Sequence, residues 1–142
     1  MVGIVRKRKH SFSVFIPGIS VPTYTEKELK ELNDKANKKF SYKGEEYNEY
    51  EATQHQREIE RNIRETKRQL IMYKEADSKE DFKITSIKLN QLNKEYKDFS
   101  SASGIRVKNE RTQQVGFDRS ISQKANIEAK KQIKADLEAL QK

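Results

Sequence analysis

Apolar residues recur at helical intervals over most of this chain. From about Asn48 to Ala76 there is no Gly or Pro, and Ile59, Ile63, Thr66, Leu70 and Tyr73 follow at spacings of 4, 3, 4 and 3. After a break at Asp77-Ser78, Phe82, Thr85, Leu89, Leu92, Tyr96 and Phe99 follow at 3, 4, 3, 4 and 3. Both runs are heptad-like seams. They predict helices roughly 40 Å and roughly 30 Å long at 1.5 Å per residue. So short a connection favours an antiparallel helical hairpin. Gly104 suits the left-handed position that ends the second helix, with Ile105 folding back on its last turn.

The flanks carry weaker signals. Ser11 to Ile16 alternates polar and apolar residues as a short strand does, Pro17-Gly18 marks a turn, and Pro22 keeps the backbone extended. Thr25 with Glu28 forms a capping box that opens a short helix over Glu26–Phe40, with Leu29, Leu32, Ala36 and Phe40 as its apolar side. Ser41 to Tyr47 is a tight turn or small hairpin, and its aromatics, with Phe40 and Tyr50, form either a small core that locks it onto the long helix or an aromatic contact patch. Residues 105–117 are expected to form a further short helix. From Ser120 on, Ile121, Ile127, Ile133, Leu137 and Leu140 give a helical tail one narrow stripe that needs a partner. The expected fold is mainly α: a long antiparallel helical hairpin, a small N-terminal β-containing segment and a helical C-terminal tail. It divides into a basic extended segment (1–24), a helical domain (25–117) and the tail (118–142).

Composition agrees with narrow seams. Apolar residues make up 33% and charged residues 37% of the 142 positions, against averages of roughly 45–50% and roughly 25%. Such a chain cannot fill a thick core. The net charge of +8 favours polyanionic partners. With no Cys and only His10 and His55, a disulfide, a thiolate metal site and a cysteine nucleophile are excluded, and no cofactor is expected. No apolar run reaches the roughly 20 residues that span a bilayer. The basic start lacks the apolar stretch of a signal peptide, so an intracellular protein is expected.

No catalytic constellation stands out. The helix-borne acids are interleaved with Lys and Arg. Glu60 with Arg64 and Arg61 with Glu65 are expected to be ordinary solvated pairs. His55 has no partner spaced to make a triad. The better candidates are cationic. Arg6, Lys7, Arg8 and Lys9 could neutralise phosphates, with Phe12 or Phe15 stacking on bases. Arg57, Arg61, Arg64 and Arg68 form a second basic stripe suited to a phosphate backbone or to any acidic groove.

Several strings then stand in a familiar order: Arg8-Lys9-His10-Ser11-Phe12, Phe15-Ile16-Pro17-Gly18, Pro22-Thr23-Tyr24-Thr25-Glu26, Tyr50-Glu51-Ala52-Thr53-Gln54, Tyr96-Lys97-Asp98-Phe99-Ser100, Gly104, and Glu110-Arg111 before Gly116-Phe117. Across roughly residues 8–117 the chain resembles the C-terminal region of tailed-phage minor capsid proteins. The resemblance implies a non-enzymatic, portal-proximal head protein of phages of Gram-positive bacteria, associated with head assembly and with DNA packaging or ejection. Its implied partners are phage head or portal proteins; the seams themselves, the tail stripe included, could be covered by the hairpin, by another copy or by a different protein. Its implied location is the host cytoplasm during infection and the virion. Family members are longer, with a preceding head-morphogenesis domain, and carry Cys-Arg-His where this chain has Arg8-Lys9-His10. A small, basic, free-standing phage protein also fits an inhibitor of host defence. That alternative, an anti-CRISPR for example, binds a host nucleoprotein complex and blocks its guide-RNA channel.

Overall fold

The computed structural model describes Val14 and residues 16–141. The strand expected over Ser11–Ile16 therefore lies outside the described residues except for Val14 and Ile16, neither of which is in a strand. The chain divides into two units, residues 1–34 and 35–142.

In the first unit, Pro17 fixes its own φ and Gly18 takes φ 85°, a conformation that glycine adopts without strain. The turn closes as the Ile19 N–H donates to the Ile16 carbonyl at 3.1 Å. Helix α1 (Glu26–Asn37) then opens on the expected capping box. The Thr25 N–H donates to Glu28 Oε2 at 2.8 Å, and the Glu28 N–H donates to Thr25 Oγ1 at 3.3 Å. No α1 residue is buried, so Leu29 and Leu32 face outward rather than forming a packed side. The helix stops short of Phe40, which instead opens a strand.

The second unit begins with that strand. β1 (Phe40–Tyr42) pairs antiparallel with β2 (Glu45–Tyr47), setting Phe40 opposite Tyr47 and Tyr42 opposite Glu45. Lys43 and Gly44, at φ 51° and 87°, make the two-residue turn with both central residues left-handed, whose twist matches the strands. Helix α2 (Glu49–Glu75) follows at once, capped by Asn48 and Glu51 in reciprocal hydrogen bonds of 2.9 Å. Asp77 turns the chain at φ 52°, and the Ser78 N–H reaches back to the Tyr73 carbonyl at 3.0 Å. Helix α3 (Lys79–Ser103) then returns along α2 and ends at Gly104, φ 70°.

The seams meet as their spacing required. Ile59, Ile63, Thr66 and Leu70 of α2 are buried with Phe82, Thr85, Leu89, Tyr96 and Phe99 of α3; Tyr73 and Leu92 are partly buried at the margin. The fold is mainly α, with its small sheet ahead of the long hairpin and a helix at the C-terminal end.

Two expectations for the rest are corrected. Residues 105–117 form only one 3-10 turn, Asn109–Thr112. Their main-chain carbonyls are drawn to α2 side chains, and an α-helix would have used those carbonyls internally. The tail is helical, α4 (Arg119–Leu140), with Asp118 Oδ1 accepting the Ile121 N–H at 2.8 Å. However, its buried row is Ile121, Ala125 and Ala129, while Ile127, Ile133, Leu137 and Leu140 are exposed. Alanine lets two helices approach closely, so beyond Ile121 α4 lies on the hairpin through small side chains.

Candidate functional site

One side of α2 is used to hold the strap that links α3 to α4. Gln56 Nε2 donates to the Arg106 carbonyl at 3.1 Å, Arg64 Nη1 donates to the Arg111 carbonyl, and Lys67 Nζ donates to the Thr112 carbonyl at 2.6 Å. Burial holds the Lys67 amine below its ordinary range, and its Nζ lies 5.3 Å from the centre of the Phe117 ring. Within this row Glu60 is only 3% exposed. It accepts a hydrogen bond of 2.7 Å from the Tyr96 hydroxyl and lies 3.7 Å from Arg111 Nη1. The Tyr96 oxygen in turn accepts the Lys108 N–H at 2.9 Å. Burial first, then the Glu60 carboxylate, push the Tyr96 phenol up to about 12.

This corrects the expected surface pairs. Glu60 does not pair with Arg64, since Tyr96 and Arg111 occupy its oxygens. Glu65 pairs with Arg68, Oε2 to Nη2 at 2.6 Å, rather than with Arg61. Of the basic stripe, Arg57 and Arg61 are exposed and in no ion pair among the described residues. Arg64 is half-buried and tied to the strap, and Arg68 is exposed but paired. Arg6, Lys7, Arg8 and Lys9 lie outside the described residues.

The aromatics around the turn do gather, with one exception. Phe40, Tyr42 and Tyr47 surround Phe99 at ring-centre distances of 5.9, 5.1 and 5.4 Å, and the His55 ring packs on Phe99 at 4.7 Å. Edge-on contacts of this kind favour a fixed cluster. His55 is thus a packing residue, half-buried against Phe99 and Tyr47. Tyr50 stays outside, 71% exposed, one helical turn from Gln54 and two from Arg57. A groove of about 410 Å³ runs beside these residues, bordered also by Asn37, Asn48 and Thr53. The spacing Tyr50, Gln54, Arg57, Arg61 was visible in the sequence, but counting cations alone passes over its first two members.

A second cleft, about 450 Å³, lies at the hairpin tip between Tyr73, Phe82 and Ile127, with Lys74, Lys79 and Lys124 around it. Asp77 and Glu128 share its wall, so its charge is mixed. Among the described residues, no helix is long and apolar enough to cross a membrane.

Comparison with known proteins adds one finding. No curated protein and no solved structure matches the chain significantly. A family model described as phage minor capsid protein 2 matches residues 7–100, about two thirds of the chain. The match stops short of the strap and α4, where the string resemblance had run on to about residue 117. The matched span holds the Pro17-Gly18 turn, both capping boxes, the small sheet and nearly the whole hairpin, and the chain belongs to the phage minor capsid protein 2 family.

Proposed function

We propose that this chain is a non-enzymatic structural module of the phage head that works by docking onto other head proteins, with its cations assisting. The observation that carries the reading is the family match combined with apolar rows that the fold leaves open. Leu29 and Leu32 on α1, and Ile133, Leu137 and Leu140 on α4, are each more than two fifths exposed. Rows of large apolar residues at helical spacing, rimmed by charge, favour protein contacts. Glu60, Tyr96 and His55, the groups best placed for acid–base work, are engaged in packing and in fastening the strap. The net charge of +8 then serves long-range attraction to an acidic partner.

The test is mass spectrometry of purified virions together with nuclease-treated pull-downs from infected cells. The chain is expected in virions, and recovery of head proteins should survive nuclease and fall with Leu137→Asp. Abundant chain in infected cells but none in virions would overturn the reading. Recovery of a host nuclease with its guide RNA would replace it with the anti-defence alternative.

A further inference from the structure

The outer edge of α2 presents Tyr50, Gln54, Arg57 and Arg61 at spacings of 4, 3 and 4, a single face about 16 Å long. Its four members supply an open aromatic ring, an amide and two guanidinium groups. Tyr50 is excluded from the aromatic cluster only a few residues away. Arg57 and Arg61 are unpaired among the described residues, although Arg68 on the same helix is paired. The residues bordering the adjoining groove are mostly polar in type, with Ala36 the one aliphatic member, although much of the surface they present is carbon. An apolar anchor from a protein partner would find the Tyr50 ring and side-chain stems there but no aliphatic pocket. A planar base and its phosphates would find a ring to stack on and cations spaced along one line.

We propose that this face of α2 binds single-stranded nucleic acid: a base stacks on Tyr50, phosphates meet Arg57 and Arg61, and the Gln54 amide faces a base edge. Stacking tolerates any base, so binding is sequence-independent and in the micromolar range expected of non-specific contacts. Three acids lie close by, and one of them, Glu65, stands one turn beyond Arg61 but is paired with Arg68. Glu49 borders the groove, and Glu58 is turned toward His55, 3.9 Å from its Nδ1. They hold the face to modest affinity and make the ring, beyond charge alone, part of recognition. This activity is separate from head-protein docking and does not depend on it.

The experiment is fluorescence anisotropy of the full chain with a labelled oligo(dT) of about 12 nucleotides, from about 50 to about 200 mM salt. Arg57→Gln with Arg61→Gln should weaken binding about 10-fold and lower the salt slope by about 1.4, the value for two phosphates of a single strand. Tyr50→Ala should weaken binding about 10-fold with the slope unchanged. All three side chains are exposed, so unchanged helicity by circular dichroism should accompany both effects. The proposal is overturned if these variants bind as the parent does while a variant with Arg6, Lys7, Arg8 and Lys9 all changed to Gln loses binding. It is equally overturned if polyglutamate competes as well as unlabelled oligonucleotide, since the ring would then contribute nothing.

Discussion

Glu60 and Tyr96 join α2, α3 and the strap at one point. A buried carboxylate is tolerable only when hydrogen-bonded or paired, and here one hydroxyl and one guanidinium do both. Tyr96→Phe should cost about 2–3 kcal/mol, because it removes a hydrogen bond to a charged group and orphans the Lys108 N–H; urea unfolding checks this. The same hydroxyl makes stability sensitive to alkali. A phenol raised to about 12 by folding contributes stability that is complete below its unfolded value of about 10 and lost as pH climbs through the folded value. The urea midpoint should therefore hold to about pH 9 and fall between about 10 and 12. Tyr96→Phe should flatten that fall only in part, since Tyr47 is also pushed up to about 12, chiefly by its hydrogen bond to Glu45. None of this was legible locally. The i,i+4 rule assigned Glu60 to Arg64, but the decisive partner stands 36 positions away and becomes a neighbour only when the hairpin closes.

At the scale of elements, legibility tracked side-chain size. The α2 and α3 seams are built from large or branched residues at heptad spacing, and period alone located them. Of their ends, the Asp77-Ser78 break and Gly104 were read directly, whereas the Asn48–Glu51 capping box, though equally local chemistry, was seen only in the fold. Gly104→Ala should cost about 1–2 kcal/mol for forcing a Cβ into the left-handed region, with thermal unfolding as the readout. The α4 seam went unread because a search for Ile and Leu cannot see Ala125 and Ala129. Ala129→Leu should wedge α4 from the hairpin at a cost of about 1–3 kcal/mol. Hydrogen exchange should show α4 amides losing protection while those of α2 and α3 keep theirs, and Ala139→Leu, at an exposed position, should leave both unchanged.

For the whole molecule, every buried residue among those described lies between Ala52 and Ala129. Residues 35–142 alone should keep the core, so deleting residues 1–34 is expected to shift the melting temperature by only a few degrees. Retained melting together with lost head-protein recovery would place docking in the N-terminal unit. The family was legible from ordered strings because turns and caps use particular residues at particular spacings. The basic stripe was half legible: cations can be counted in a sequence, but only the fold shows that Arg64 is spoken for and Arg57 is not.

The strap's attachment has a consequence for how this chain can vary. Gln56, Arg64 and Lys67 reach main-chain carbonyls, and a carbonyl is present whatever side chain its residue carries. The dependence between the two partners is therefore one-sided. Arg106, Asn109 and Glu110 can be exchanged for most residues with little loss, while each donor on α2 is tied to its chemistry. Arg111 and Thr112 stand apart, one facing Glu60 and the other buried. A mutational scan should find Arg106, Asn109 and Glu110 permissive, while Arg111, Thr112 and the core-packed Ile105, Val107 and Phe117 resist change. Sequence drift there would then erase resemblance between relatives while leaving the attachment intact.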